Sequence, residues 1–464
     1  QEKEIPITTS SDEAKKLFLK GRDKFELIEF AASVQYFEQA IEKDPNFALA
    51  HLFRFRTGVG GAEVTQGYLA KAVALVDKVS KGEKYLILYS KALVDGEGTK
   101  QKENLDKLLE LFPSDKRVQY LAGMYFGGIE RDFETALQYY RRVTELDNTF
   151  APVYNNIGYT SMTLGNFAEA EKAFVEQIKL VPNRPNPYDS YAELLIRMGR
   201  YDESIAQYKK ALGKDASFLN AFFGVGDNYI FKGEYETARK NYEMVYEKAP
   251  HLVGLGGKFN ALDRIASSFV LEGKISEALN TCERYRTLAK ENNRTGRVIN
   301  SYQNEGFILT ESGNPAEGIQ RYRMATEIAY DPKTPEAVKN NLALVTMFQE
   351  CYALMVNKEM EAALTKMEDC KKLAQKRQVP GDQRWMSYLN GIAETQKGNY
   401  TQALEHYSNS WPTIPIIKYY MAVAYEKKGD QEKAGELFEE LQNRKQNTLQ
   451  VALVKYRMKK MAAK

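Results

Sequence analysis

Residue types that carry acid–base or metal chemistry are scarce in this chain of 464 residues. Its three histidines, His51, His251 and His406, are far apart, and no two have the HxH or HExxH spacing of a metal site. We expect each to lie on the surface or to be hydrogen-bonded in the core. The sequence therefore predicts no metal site, no cofactor and no catalytic residue.

One glycine-rich segment, GLGGK at residues 254–258, partly matches a phosphate-binding loop. It lacks the required glycine spacing, no Ser or Thr follows Lys258, and no strand precedes it. We interpret it as a hinge rather than as a nucleotide site.

The cysteines are also few, at positions Cys282, Cys351 and Cys370. The last two are spaced so that they could approach each other across a single pair of helices. Two buried thiols acting as small apolar residues are favoured over a disulfide, and the disulfide stays open. Cys282 is expected in the core.

The elements that position these residues follow from a repeat. A small residue recurs every 34 residues in the middle of the chain, and a second small residue and an aromatic one follow it at fixed distances. The three sets are Gly158, Ala170 and Phe174; Ala192, Ser204 and Tyr208; and Gly226, Ala238 and Tyr242. Two helices cross closely only where the facing side chains are small, and a glycine after the first helix can end it at positive φ. The spacing therefore predicts helical hairpins.

This pattern resembles the tetratricopeptide repeat (TPR) family, whose period is 34 residues. Further sets extend the resemblance over most of the chain, and they begin at Gly21, Gly123, Ala266, Gly306, Cys351, Gly391 and Ala422. The resemblance implies an all-α fold, a right-handed TPR superhelix (α-solenoid) of about ten helical hairpins. It also implies a non-catalytic protein–protein interaction scaffold. A looser similarity is to exported bacterial TPR-repeat proteins.

Departures from the pattern divide the chain. We expect a flexible N-terminal lead at 1–11, a first TPR unit with irregular helical hairpins at 12–115, and a regular TPR array at 116–252. A longer-period TPR-like array follows at 253–447, with a joint at 251–257, and a capping helix at 448–464 closes the repeat.

In the TPR family the first helix of each hairpin lines a concave groove, so the resemblance implies which residues face a partner. They lie six or three positions before the small residue, or one position after it. The candidate partner-binding residues are Asn155, Tyr159, Asn186, Asp189, Glu193, Asn220, Phe223, Asp227, Asn260, Asp263, Asn300, Gln303 and Phe307. Amide side chains both donate and accept hydrogen bonds, so this face suits an extended peptide.

Other interpretations of the same face remain open. Its back half is apolar (Phe348, Tyr352, Trp385, Tyr388, Ile392, Tyr419), which suits either a hydrophobic partner or cover by longer helices. Exposure of this apolar half would favour a structural subunit of a larger or self-assembling complex. The carboxylates of Asp189, Glu193, Asp227 and Asp263 share the face, so a glycan- or peptide-processing enzyme is a minor alternative.

Composition limits the partners. Lys and Arg number 65 against 62 Asp and Glu, a net charge of +3, which argues against a nucleic-acid partner. Mean hydropathy is −0.51, and we expect no integral membrane segment. The expected partners are therefore a protein or peptide, with self-association possible. Because the chain begins at Gln1, we expect export to the periplasm or the exterior after removal of a signal peptide. A cloned fragment and a cytoplasmic location are the alternatives.

Overall fold

A computed structural model describes residues 3–252, 254–377 and 379–462. Within these residues the chain is all α, as predicted, with no strand. It divides into two compact units, Gln1–Leu194 and Leu195–Lys464, here called unit 1 and unit 2. The division falls within helix α11 (Pro185–Arg197).

Unit 1 contains the helices up to the start of α11. They are α1 (Asp12–Glu26), α2 (Phe30–Lys43), α3 (Ala48–Arg56), α4 (Gly61–Ala74), α5 (Lys81–Asp95), α6 (Gly98–Leu111), α7 (Lys116–Tyr125), α8 (Phe133–Leu146), α9 (Ala151–Thr163) and α10 (Phe167–Leu180). A short 3-10 turn, Val76–Lys78, follows α4, and a π-helical turn, Phe126–Glu130, follows α7.

Unit 2 contains the remaining helices. They are α12 (Tyr201–Lys214), α13 (Leu219–Phe231), α14 (Tyr235–Leu252), α15 (Gly254–Glu272), α16 (Ile275–Glu291), α17 (Thr295–Ser312), α18 (Pro315–Tyr330), α19 (Glu336–Val356), α20 (Met360–Arg377), α21 (Pro380–Lys397), α22 (Tyr400–Ser408), α23 (Pro415–Lys428), α24 (Gln431–Asn443) and α25 (Leu449–Ala462).

In the described part of the chain, helices α1–α10 form five hairpins and α13–α24 form six, with the odd-numbered helix first and the even-numbered one second in each. Ten of the odd-numbered helices, α11 among them, carry the small residues found in the sequence. The other two hairpins, α3–α4 and α5–α6, fill the region predicted to be irregular. The longer period after α13 arises from longer helices, since α14–α21 have 16 to 21 residues.

The glycine of each repeat is explained by the aromatic ring sixteen residues later. A Cβ added to Gly158 would lie 2.4 Å from the ring of Phe174, and one added to Gly391 would lie 2.5 Å from Tyr407. No real Cβ contact is that short, so the ring occupies the volume of the missing side chain. The two helices of a hairpin therefore cross as closely as the sequence predicts.

An extra residue in one repeat has a visible structural consequence. Gly123 and Tyr140 are seventeen residues apart, yet a Cβ on Gly123 would still lie 2.3 Å from the ring. The π-helical turn Phe126–Glu130 absorbs the insertion, because such a turn holds one more residue than an α-helical turn.

The hairpin turns use left-handed backbone at the position after the first helix's cap. Gly165, Gly199 and Gly233 adopt φ of 79°, 75° and 79° there. In the first hairpin Ile28 takes the equivalent place with φ 64°. This region disfavours L side chains, and β-branched ones most.

The N-terminal lead, which the sequence predicts to be flexible, donates backbone hydrogen bonds to buried carboxylates over residues 5–10. The Ile5 N–H donates to Asp115 at 2.8 Å, the Thr8 N–H donates to Glu83 at 2.8 Å, and the Ser10 N–H donates to Asp44 at 2.9 Å. Buried carboxylates thus bind a segment that has no helical pattern of its own. Gln1 and Glu2 lie outside the described residues.

The joint predicted at 251–257 falls at the turn between α14 and α15, inside unit 2. Gly254 has φ 60° and begins α15. Val253 and the side chain of His251 lie outside the described residues.

Candidate partner-binding surfaces

The first helices of unit 1 carry three of the predicted residues in one hydrogen-bonded group. The Tyr159 hydroxyl donates to Glu193 at 2.8 Å and lies 3.2 Å from the Ser190 hydroxyl. Ser190 in turn donates to the Asn155 amide oxygen at 3.0 Å. Asp189 lies on the same helix, and the structure therefore brings Asn155, Tyr159, Asp189 and Glu193 to one surface, here called the α9–α11 face.

Asp189 is the electrostatically unusual member of this face. Its side chain is 4% exposed, and its Oδ1 atom accepts no hydrogen bond within the described residues. Burial, with a further contribution from the charge of Glu193, raises the pKa of Asp189 to about 7. An under-coordinated buried carboxylate beside an exposed one is suited to accept a hydrogen bond from a bound donor. Asn186, one turn earlier, is partly buried.

In unit 2 the chain's own C-terminal helix covers the first helices. Helix α25 packs most extensively on α15 and also on α17 and α23, with fewer contacts to the neighbouring α24. Its Ala452 and Leu453 are buried in a cluster with Val270 and Ile308, against which Phe307 packs. The sequence predicts a capping helix here; in the structure it lies across first helices of three hairpins.

Buried polar contacts hold α25 in place. Arg457 donates to Glu311 of α17 at 2.8 Å and to the Tyr420 hydroxyl of α23 at 2.9 Å. Tyr352 of α19 donates to the same Glu311 and lies 2.8 Å from the Tyr420 hydroxyl. The Glu311 side chain is fully buried, so Arg457 supplies the positive charge that this carboxylate needs.

The segment before α25 forms a hydrogen bond with another of the predicted partner-binding residues, Asp227. The Asn447 amide donates to Asp227 at 3.2 Å and to the Tyr242 hydroxyl at 2.9 Å. Asp227 also accepts from the Tyr242 hydroxyl at 2.7 Å and lies 3.4 Å from Arg264. Burial raises the pKa of Asp227, and these partners oppose the shift.

Some of the other predicted residues of unit 2 are buried and others are exposed to solvent. Phe223 is buried with the Arg264 guanidinium 4.2 Å above its ring, and Gln303 is buried and donates to Thr346 at 2.7 Å. Burial raises the pKa of Asp263 to about 6, while Arg297 and Arg264 lower it. The residues six positions before the small one are more accessible: Asn220 and Asn260 are exposed, and Asn300 is partly buried.

The aromatic back half of the face is part of the core of unit 2. Phe348, Tyr352, Tyr388, Ile392 and Tyr419 are all at most 4% exposed. Trp385 packs on the same cluster, with its ring 5.8 Å from that of Phe348. The alternative of an open apolar surface is therefore wrong, because α25 and the long helices cover these residues.

The cysteines and His51 are structural. Cys351 and Cys370 are buried free thiols on the two helices of one hairpin, with their Sγ atoms 3.7 Å apart, and Cys282 is buried as well. His51 is buried, and its Nε2 lies 3.0 Å from the Pro45 carbonyl oxygen. No group of three His, Cys, Asp or Glu side chains in the described residues could hold a metal ion.

The sequence did not identify Asn447 and Arg457 as important. The pattern at 448–464 predicts an amphipathic helix, but the carboxylates that these two residues contact, Asp227 and Glu311, are 220 and 146 residues away in the chain. No helix among the described residues is both long and apolar enough to cross a bilayer.

The fold and these faces define a class of all-α proteins built from stacked helical hairpins. Family models described as tetratricopeptide repeat match residues 151–184, 192–252 and 418–444. These matches, together with the hairpin fold, support a TPR-repeat protein.

Similarity to individual proteins is low. The chain is 24% identical over 172 residues to a tetratricopeptide repeat-containing protein, trd-1, of Caenorhabditis elegans, covering 37% of this chain and 21% of that protein. It is 24% identical over 274 residues to the protein CTR9 homolog of Arabidopsis thaliana, covering 54% of this chain and 24% of that protein. The chain thus spans between a fifth and a quarter of these curated relatives. A solved tetratricopeptide repeat protein from Parabacteroides merdae is 15% identical, with 57% of this chain and 99% of that chain covered and a TM-score of 0.42.

Proposed function

We propose that the protein is a non-catalytic scaffold that binds a peptide or protein segment on the α9–α11 face of unit 1. The observation that carries the proposal is Asp189, whose buried oxygen lacks a donor beside the exposed Glu193. A buried acceptor without a hydrogen bond costs free energy, and Asp189 recovers that cost if its side chain turns outward to a donor bound beside Glu193. A partner segment with Lys, Arg or amide donors fits this face.

The first-helix face of unit 2 is a weaker candidate, because its own chain already contacts it. Asn447 engages Asp227, and α25 lies on α15, α17 and α23. A partner there would have to displace contacts that include the buried Arg457–Glu311 pair. On this unit the proposal keeps only the exposed Asn220 and Asn260, as accessory contacts.

The alternative role as a structural subunit of an assembly loses its main support. It relied on an exposed aromatic back half, and those residues are buried in unit 2. A molecular mass that rises with concentration in light scattering would restore it.

Peptides selected from a displayed random library on the full chain provide the test. Binding of each selected peptide is measured by fluorescence anisotropy on the wild type and on Asp189→Asn and Glu193→Gln. We expect each substitution to weaken binding about tenfold or more, as expected for lost hydrogen bonds to charged groups.

The matched control is Glu145→Gln on α8 of the same unit, an exposed carboxylate that pairs with Arg142. It should leave binding unchanged. Peptides that bind Asp189→Asn and Glu193→Gln as tightly as the wild type would overturn the proposal.

A further inference from the structure

A second feature of unit 1 is a cavity of 210 Å³ bounded by α1, α3, α5, α7 and the N-terminal lead. Its wall is largely apolar and aromatic, and includes Ile7, Phe18, Phe25, Phe53, Leu86 and Leu121. An apolar cavity of about 150 Å³ in another protein accommodates benzene. This one therefore has room for a larger ring or a short alkyl chain.

Three arginines line the cavity, and of these only Arg117 has a fully formed ion pair among the described residues. Arg117 donates to Glu26 through two nitrogens, at 2.5 and 3.2 Å. Arg22 approaches the same carboxylate only to 3.9 Å, and its buried Nε has no hydrogen-bond partner. Arg56 forms no hydrogen bond or ion pair within the described residues, and its guanidinium lies 5.6 and 5.3 Å from the ring centres of Phe25 and Phe53.

The cavity's three carboxylates equal the arginines in number, but their closest contacts are with Arg117 and with the Ile5 N–H rather than with Arg22 or Arg56. Glu26 is engaged by Arg117, and Asp115 accepts the N–H groups of Ile5 and Arg117 at 2.8 Å each. Glu4 is 58% exposed and lies 3.7 Å from Arg117. Burial lowers the pKa of both Arg22 and Arg56, which is the direction expected for cations that lack a close counter-charge.

A strained residue with an exposed apolar side chain, Ile28, lies at the rim of the cavity. Ile28 lines the cavity and is 52% exposed. Its backbone has φ 64°, at the turn position that Gly165, Gly199 and Gly233 occupy in other repeats. Strained backbone is retained where the side chain has a use, and it clusters at ligand sites. An exposed apolar side chain at the opening would contact a ligand's apolar end.

We propose that this cavity binds a small organic acid, with its carboxylate held by Arg22 and Arg56 and its alkyl chain or ring among Phe18, Phe25 and Phe53. Arginine suits the role because its planar fork matches a carboxylate and its face stacks on aromatic rings. The site is separate from the α9–α11 face and does not depend on the partner proposed there.

Isothermal titration of the full chain with octanoate and with octan-1-ol tests the proposal. The two probes share an alkyl chain and differ in the carboxylate. We expect saturable binding of octanoate and binding of octan-1-ol weaker by about tenfold or more. Arg22→Met and Arg56→Met, which keep the apolar length of the side chain, should each weaken octanoate binding by a similar factor.

Arg142→Met is the matched control, because Arg142 is an exposed arginine of the same unit that pairs with Glu145 outside the cavity. It should bind octanoate as the wild type does. A third probe, a short peptide ending in leucine with a free carboxylate, separates a free acid from a chain terminus.

Absence of saturable octanoate binding to the wild type would overturn the proposal, as would equal affinity for octan-1-ol. Those two results need no variant, so they stand even if an arginine variant fails to fold. Tighter binding of the leucine peptide than of octanoate would also overturn it, in favour of a polypeptide end.

Discussion

Arg457, near the end of the chain, donates a 2.8 Å hydrogen bond to the fully buried carboxylate of Glu311, 146 residues earlier. This contact fastens helix α25 to α17. It means that the first-helix face of unit 2, which a TPR protein could offer to a partner, is engaged by the chain itself. The polar α9–α11 face of unit 1 is then the better candidate for partner binding.

Removing Arg457 should destabilise unit 2 strongly. Arg457→Met leaves Glu311 buried without its cation, and such a loss costs about 3–5 kcal/mol. Urea unfolding followed by tryptophan fluorescence reports on unit 2, because both tryptophans, Trp385 and Trp411, lie there. The double variant Arg457→Met with Glu311→Gln should recover part of the loss.

Lys459→Met on the same helix is the control for that experiment, since Lys459 is exposed. Its effect should stay within about 0.5 kcal/mol. Equal effects of Arg457→Met and Lys459→Met would show that the buried pair does not hold α25.

The close crossing of helices in a hairpin predicts a steric cost. In Gly158→Ala the new Cβ would lie 2.4 Å from Phe174, so the ring must shift, at about 1–3 kcal/mol. Gly67→Ala on α4 of the same unit has no neighbour within 4 Å and should gain about 0.5–1 kcal/mol from helix propensity. Unfolding followed by far-UV circular dichroism distinguishes the two, and equal effects would contradict the packing account.

The hairpin code was predictable because it is local. A glycine and an aromatic residue sixteen positions apart, such as Gly158 and Phe174, meet within one pair of helices. The position of α25 was not predictable in this way, since nothing in residues 448–464 marks Glu311 as a partner. The α9–α11 face was predictable in part. The family resemblance indicates Asn155 and Glu193 as surface residues, but it does not indicate the unpaired oxygen of Asp189.

We expect replacement of Ile28 by glycine to stabilise unit 1, because Ile28 has a left-handed backbone conformation. Ile28→Gly removes a β-branched side chain from φ 64° and should stabilise unit 1 by about 1 kcal/mol. Leu27→Gly, at the preceding residue with φ −86°, relieves no strain and should be destabilising. A loss of stability in Ile28→Gly, measured by chemical denaturation, would show that side-chain packing outweighs the strain.

Asp189 predicts a pH-dependent stability. Its folded pKa of about 7 lies above the unfolded value of 3.8, so the folded state bears the cost of a buried charge at high pH. As pH falls from 7 towards 3.8, Asp189 is protonated in the folded state while it is still ionised in the unfolded state. The cost of the buried charge therefore disappears. Asp189→Asn should therefore stabilise the protein by roughly 2–4 kcal/mol at pH 8 and by less than half of that at pH 5.

Asp77→Asn is the control for the pH experiment, because Asp77 is 83% exposed in the same unit. Its effect should be small at both pH values. A stabilisation by Asp189→Asn that is equal at pH 8 and pH 5 would contradict the raised pKa.

Hydrogen–deuterium exchange of the full chain, with and without a library-selected peptide at saturation, tests the central claim most directly. The account predicts slower exchange in α9 (Ala151–Thr163) and at residues 185–194, with exchange in α15, α17 and α25 unchanged. Slower exchange in α15 and α17 together with faster exchange in α25 would contradict it, because the partner would then bind unit 2 by displacing the C-terminal helix.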